Sequence, residues 1–221
     1  MPADDEDVDP NSSVRTVPPD ADPASFPRAL AARIGDRDLW IANGGGIEPD
    51  NLATMALNPN YVVSLNRTAT GATTDHFPLK DGYVNDQQEF TAAVNTTRKH
   101  IRDEGTVIVN CAAGISRSST VLATAIAAED DVSFEAAVEE IKETRPRARP
   151  HPKLQLNAYA YLVNVENRTD AREQLSELAD KSHLRNQDGD IVYIVGVSPA
   201  IRAYLGVYLL GHPIRHNARQ V

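Results

Sequence analysis

Short apolar runs alternate with longer segments of helical character along the middle of this chain. Three runs rich in aliphatic and β-branched residues, at 39–41, 61–65 and 106–109, have the length of buried strands. Periodicity and breaker residues predict five helices, which are placed at 51–55, 87–103, 118–129, 134–144 and 153–165. Strands that alternate with helices form mainly parallel sheets covered on both faces. The pattern therefore predicts an α/β fold with a mainly parallel central sheet flanked by helices.

Side chains suited to helix caps support three of these helices. Asp86 is followed three residues later by Glu89, which is the spacing of a capping box. Ser133 is placed to cap the fourth helix, and either Asp50 or Asn51 to cap the first. Each cap satisfies N–H groups that have no partner within the helix, so these residues predict where the helices begin.

Composition divides the chain into three parts. Residues 1–27 hold seven carboxylates, one arginine and six of the 14 prolines, which predicts a disordered acidic tail without the features of a signal peptide. Residues 28–165 carry the predicted sheet and helices as one domain, although 28–33 and 66–74 show no pattern for an element. Residues 166–221 form a C-terminal extension of mixed helix and strand.

The C-terminal extension has its own pattern. It predicts a helix over 170–183, a strand over 191–197 and a helix from the Ser198-Pro199 cap to Gly211. Apolar residues of the last helix fall on one face. That face favours a subdomain packed on the rest of the chain, and a contact surface for a partner or a membrane is the alternative.

Charge and cysteine content exclude several classes of protein. A net charge of −9 makes general nucleic-acid binding unfavourable, and no nucleic-acid partner is expected. The single cysteine permits no internal disulfide, and the chain has no run of 18 apolar residues that would span a membrane. We therefore expect a cytoplasmic protein, and nothing in the sequence calls for a cofactor or metal.

The cysteine lies at the start of a loop that joins a predicted strand to a predicted helix. Residues 107–118 read VIVNCAAGISRS, in which an apolar strand leads through Cys111 and a glycine-containing loop into a helix. Unpaired N–H groups and the positive end of the helix dipole would converge on that loop and favour an anion. The same field would lower the pKa of Cys111 and give a nucleophilic thiolate, whereas an isolated cysteine is more often an inert core residue.

Arg117 completes the anion site. Its planar guanidinium would hold two oxygens of a tetrahedral oxyanion in a bidentate contact. The loop residues between it and the cysteine would line the site through their backbones; they are Ala112, Ala113, Gly114, Ile115 and Ser116. The combination predicts a cysteine-dependent phosphatase.

These residues resemble the dual-specificity branch of the protein tyrosine phosphatase superfamily, whose signature is Cys-x5-Arg followed by Ser or Thr. The resemblance covers residues 33–163. The matching segments outside the signature are 39–43, 61–66, 77–81 and the Arg145-Pro146 turn.

The resemblance implies roles for further residues. The Ser118 hydroxyl would hydrogen-bond the thiolate and help it leave phosphorus in the second step of the reaction. The same residue is also placed to cap the helix. Asp81, 30 residues before Cys111, matches the family's general acid, and Gly82 would let its loop move over the site. An ordinary Asp-Gly turn is the alternative for that pair. Other acid candidates match less well, namely Asp86, Asp75 and His76.

A basic cluster follows the fourth helix. It consists of Arg145, Arg147, Arg149 and Lys153. These side chains either widen the positive field around the phosphate site or form a solvated turn. In the family, the arginine that matches Arg145 braces the signature loop from behind.

Two positions depart from the family pattern. The family's histidine immediately before the nucleophile is Asn110 here, and its proline-asparagine pair is Pro150-His151. The family histidine orders the loop and keeps the thiolate pKa low, so Asn110 bears directly on activity. His151 is a candidate for an equivalent donor to the loop.

Three functions remain open at this point. The first is hydrolysis of phosphorylated Ser, Thr or Tyr in a protein substrate. The second is the same chemistry on a phosphoinositide, nucleotide or RNA 5′ end, which the neutral loop residues 112–116 make less favourable. The third is a weakly catalytic module that binds phosphoproteins.

Overall fold

A five-stranded sheet forms the centre of the molecule. The computed structural model describes residues 30–181, and the strands are β1 (Ala31–Arg33), β2 (Leu39–Ala42), β3 (Tyr61–Ser64), β4 (Asp75–His76) and β5 (Val107–Asn110). Their order is β1-β2-β5-β3-β4. Only β1 runs antiparallel to its neighbour. The predicted mainly parallel α/β fold is confirmed.

The three predicted strands are the three central ones. β2, β5 and β3 lie side by side, and both faces of each are covered, which explains their short continuous apolar runs. The sequence shows no pattern for an element at 28–33 and 66–74. The edge strand β1 lies within the first of these stretches, and the edge strand β4 directly follows the second. They have three and two residues and are only partly buried, so they carry too few apolar positions for a sequence signal.

Helices cover the sheet on both faces. They are a 3-10 helix (Gly44–Ile47), α1 (Pro49–Thr54), α2 (Gln87–Arg102), α3 (Arg117–Asp130), α4 (Phe134–Thr144), α5 (Pro152–Asn164) and α6 (Thr169–Lys181). The larger core lies between the sheet and α2 to α6, and it includes Val63 and Val109. The smaller core lies under the 3-10 helix and α1, where Val62 and Ile108 point the other way.

The observed caps agree with two predictions and correct one. The Asp86 carboxylate accepts the N–H groups of Gln88 and Glu89, and the Ser133 hydroxyl accepts that of Ala136. The prediction that Asp50 or Asn51 caps the first helix is wrong. α1 begins at Pro49 with Glu48 as its N-cap, because proline already has the backbone angle of a first helical residue and has no N–H that would need an acceptor.

The helix predicted over 170–183 is observed as α6, within the described part of the chain. It packs on α5 and buries Ala171 and Leu175 in the larger core. Arg168, just before it, donates to the carbonyls of Ala127 and Val132 at the end of α3. The acidic tail, the strand at 191–197 and the helix from Ser198-Pro199 lie outside the described residues. Between residues 30 and 181, no helix is both long and apolar enough to span a bilayer.

Candidate active site

The signature loop lies at the carboxyl end of the central strand. β5 ends at Asn110, Cys111 follows, and α3 begins at Arg117 with Ser116 as its N-cap residue. The N–H of Cys111 donates to the carbonyl of Ala42 on the neighbouring strand. The interpretation of Ser118 as helix cap is therefore wrong, because Ser118 lies inside the first turn.

Gly114 allows the loop to turn. Its φ is +63°, in the left-handed region that other residues avoid. A Cβ at this position would lie 2.6 Å from Arg145 Nη2 and 2.8 Å from the carbonyl oxygen of Ala42. Only glycine fits both the backbone angle and the space.

Arg145 holds the loop from behind, as the resemblance implied. Its Nε donates to the Gly114 carbonyl at 3.1 Å, and its Nη2 donates to the Ala113 carbonyl at 3.0 Å. In a trans peptide the next N–H points opposite to the carbonyl, so the N–H groups of Gly114 and Ile115 face away from Arg145. That orientation supplies donors for an anion on the other side of the loop.

The other members of the basic cluster are exposed, unlike Arg145. Arg147 and Arg149 have exposed side chains, and the Lys153 ammonium lies 5.8 Å from the centre of the Tyr83 ring. Burial, together with the charge of Arg147, lowers the pKa of Arg145. The cluster thus consists of one buried arginine that supports the loop and three cations at the surface.

Several donors favour the thiolate of Cys111. The side chain is 2 % exposed, and burial alone opposes ionisation. The Ser118 hydroxyl, 3.3 Å from Sγ, favours the thiolate. The N–H groups of Ser118 and Ile115 and the charge of Arg117 favour it as well. These contributions outweigh burial and lower the pKa of the Cys111 thiol.

Asn110 takes no part in that activation. The residue is fully buried, and neither its Nδ2 nor its Oδ1 has a hydrogen-bond partner within the described structure. The groups that lower the pKa of Cys111 all belong to the loop and to the first turn of α3. The thiol is therefore activated in this protein without the family's histidine.

Arg117 is oriented by two backbone carbonyls. Its Nη1 donates to the carbonyls of Leu65 at 2.9 Å and Leu79 at 3.2 Å. Its Nε is buried and has no partner among the described residues. A buried guanidinium N–H without an acceptor costs free energy, and an oxyanion in the loop would supply that acceptor.

Asp81 is the acidic candidate that the fold brings to the loop. Its Oδ1 accepts a hydrogen bond from the Ser116 hydroxyl at 2.7 Å. Asp86 instead caps α2, and Asp75 bonds His100. The exposed His76 bonds the carbonyl of Asn66 through Nε2.

His151 contributes to the site through its backbone. Its N–H donates to the Ser116 hydroxyl at 3.3 Å, while its Nδ1 accepts the N–H of Lys153 and caps α5. The predicted donor is thus a main-chain group, and it reaches Ser116 rather than Cys111.

A buried amide network holds the Asp81 loop at its far end, and sequence reasoning missed it. Asn85 accepts the N–H of Lys80 through Oδ1 at 2.6 Å and donates its own N–H to Asn157 on α5 at 2.9 Å. The Asn157 amide donates in turn to the Asn85 carbonyl and to the Gln87 side chain. Because Asn85 and Asn157 are 72 residues apart, no local motif could reveal their pairing.

A family of known proteins matches more than half of this chain. The family model of the dual specificity phosphatase catalytic domain matches residues 51–176. A comparison with curated proteins finds no match.

Solved structures show the same fold at low sequence identity. Human DUSP28 is 19 % identical with a TM-score of 0.54, and the alignment covers 62 % of this chain and 98 % of that one. A mouse putative dual specificity phosphatase, complexed with zinc tungstate, is 22 % identical with a TM-score of 0.54 over 65 % and 93 % of the two chains. The human tyrosine phosphatase-like serine/threonine/tyrosine-interacting protein is 15 % identical with a TM-score of 0.54 over 62 % and 98 %. Since the family match covers more than half of the chain, this protein belongs to the dual specificity phosphatase family of the protein tyrosine phosphatase superfamily.

Proposed function

We propose that this protein hydrolyses phosphomonoesters on phosphorylated Ser, Thr or Tyr residues of proteins, through a cysteinyl-phosphate intermediate. The observation that carries this proposal is the arrangement of Arg117 beside Cys111. Two backbone carbonyls fix one Nη of the guanidinium, and the buried Nε has no acceptor in the described structure. A phosphoryl group attached to Sγ would meet that N–H and the loop N–H groups together.

The first step transfers the phosphoryl group to sulfur. The Cys111 thiolate attacks phosphorus, so that an S–P bond forms as the P–O ester bond breaks. A protonated Asp81 gives its proton to the departing oxygen, and the alcohol or phenol leaves neutral. Arg117 and the N–H groups of the loop stabilise the charge on the phosphoryl oxygens in the transition state.

The second step releases inorganic phosphate. Water attacks phosphorus, its proton passes to the Asp81 carboxylate, and the S–P bond breaks. The Ser118 hydroxyl, already hydrogen-bonded to Sγ, stabilises the departing thiolate. The enzyme returns to its starting protonation state.

The lining of the loop supports a substrate with one phosphate. Residues 112–116 are all neutral, so beyond Arg117 the loop offers no extra cation for a polyphosphorylated headgroup. This supports a phosphoprotein over a phosphoinositide or nucleotide. A thiolate nucleophile also fits a reducing compartment such as the cytoplasm.

A phosphate-binding module without turnover is the second candidate. The buried Asn110 amide, in place of the family's histidine, is the observation that favours it. The lowered pKa of Cys111 and the position of Asp81 beside Ser116 favour catalysis.

Hydrolysis of aryl phosphates and phosphopeptides by the full chain tests the choice. We expect turnover by the wild type, no turnover by Cys111→Ser, and tungstate binding by both. Tungstate binding by the wild type without hydrolysis would support the binding module instead. Hydrolysis that survives in Cys111→Ser would contradict the nucleophile.

A further inference from the structure

The Ser116 hydroxyl connects three segments of the site. It lies 2.7 Å from Asp81 Oδ1 in the loop between β4 and α2, here called the acid loop, and it accepts the N–H of His151 at the start of α5. The side chain is buried. Neither of these hydrogen bonds is to the Cys111 thiol or to Arg117.

The direction of these hydrogen bonds follows from proton counting. A backbone N–H can only donate, so Ser116 Oγ is the acceptor for His151. The hydroxyl has a single proton, which then goes to Asp81 Oδ1. Because the carbonyl oxygen of a neutral carboxyl is the better acceptor, a neutral Asp81 that accepts this hydrogen bond at Oδ1 carries its proton on Oδ2.

We infer that Ser116 is a positioning residue that orients the general acid. It fixes the carboxyl of Asp81 so that the proton is carried, donated and later recovered at Oδ2. After donation the same hydrogen bond becomes charge-assisted and stabilises the carboxylate. This role rests on the proposed function and specifies how its proton is delivered.

The backbone around Ser116 gives the hydroxyl a fixed position. The Ser116 carbonyl accepts the N–H of Thr120 at 2.9 Å and its hydroxyl at 2.7 Å, which ties the residue to the first turn of α3. The acid loop is held at its other end by Asn85 and Asn157. Because Asn85 and Asn157 still hold the loop, loss of the hydrogen bond between Ser116 and Asp81 changes the orientation of the carboxyl without releasing the whole loop.

Leaving-group dependence in the full-length protein tests this role. Phenyl phosphate needs a proton donor for its poor leaving group, whereas p-nitrophenyl phosphate needs little help. Ser116→Ala should lower turnover of phenyl phosphate about tenfold, the equivalent of one hydrogen bond to a charged group, and change turnover of p-nitrophenyl phosphate little. Ser116→Thr, which keeps the hydroxyl, should retain the wild-type ratio between the two substrates.

Ser119→Ala is the matched control. Its hydroxyl belongs to the same turn and donates to the carbonyls of Ile115 and Ser116, but it does not touch Asp81. This variant should keep the wild-type ratio between the two substrates. In an Asp81→Asn background, Ser116→Ala should add much less than a tenfold loss, because the group that it orients is already gone.

Each outcome has a defined meaning. Equal losses on both substrates in Ser116→Ala, or losses that multiply with Asp81→Asn, would overturn the positioning role and leave the phosphatase function intact. Absence of turnover in the wild type would overturn the proposed function and this role with it. A changed ratio in Ser116→Ala alone supports the inference.

Discussion

At the scale of single residues, Cys111 is activated by groups that follow it in the chain. The Ser118 hydroxyl, two loop N–H groups and the Arg117 charge together outweigh the burial of the thiol and lower its pKa. None of them depends on the residue before the cysteine. The lowered pKa of Cys111 therefore does not require a histidine at position 110.

Ser118→Ala should move the ionisation of Cys111 to higher pH. In the wild type the thiolate is present above the lowered pKa and is lost as the pH falls through it. The Ser118 hydroxyl makes the largest favourable contribution to that lowering, so its removal raises the pKa of Cys111. Alkylation by iodoacetamide as a function of pH measures the shift.

Ser119→Ala serves as the control for that measurement, because its hydroxyl bonds loop carbonyls and not Sγ. We expect its alkylation profile to match the wild type. If the Ser118→Ala profile also matched the wild type, the hydroxyl would not be what activates Cys111.

At the scale of elements, the signature loop is shaped by contacts on its rear side. Gly114 brings the loop against Ala42 and Arg145 at distances that no Cβ permits. Arg145, from the turn after α4, then binds the two carbonyls that would otherwise oppose an anion. The shape of the loop therefore depends on Arg145, which lies 31 positions after Gly114 in the chain.

Gly114→Ala should abolish tungstate binding and turnover. The new Cβ would force Arg145 and the β2 backbone apart, and alanine at positive φ adds backbone strain of about 1–3 kcal/mol. Calorimetric titration with tungstate and a thermal melt check both effects.

Gly44→Ala is the control for Gly114→Ala, since a Cβ there would have its nearest neighbours at 3.7 Å and 3.9 Å, in ordinary contact. It should bind tungstate as the wild type does. Wild-type tungstate binding by Gly114→Ala would contradict the described loop geometry.

Elements that a contiguous pattern marks could be predicted from the sequence. Short edge strands and contacts between residues far apart in the chain could not. The central strands are short apolar runs because both their faces are buried, and contiguous motifs mark Cys111 and Arg117. The edge strand β4 is two residues long and partly exposed, so it leaves no pattern. The pairing of Asn85 with Asn157 and of Ser116 with Asp81 exists only after the chain has folded.

At the scale of the whole molecule, α6 is part of the core that supports the site. Leu175 is fully buried, and Arg168 ties the segment before α6 to the end of α3. The element against which α6 mainly packs is α5, whereas the signature loop lies between β5 and α3. We therefore expect α6 to affect stability rather than chemistry.

Truncation should separate these two effects. A chain that ends after Val165 loses the burial of Leu175 and Ala171, which should lower the free energy of unfolding by about 3 kcal/mol relative to a chain that ends after Lys181. Urea unfolding of both chains measures the difference. Turnover per folded molecule should be similar, and equal stability of the two chains would contradict the packing of α6.

The covalent intermediate provides the most direct test of the account as a whole. The wild type, quenched in acid during turnover of an aryl phosphate and digested, should carry a phosphoryl group on the peptide that contains Cys111. Cys111→Ser, treated in the same way, should carry none. Turnover by the wild type with no phosphoryl group on Cys111, or with one at another residue, would contradict cysteine-dependent phosphoryl transfer in this protein.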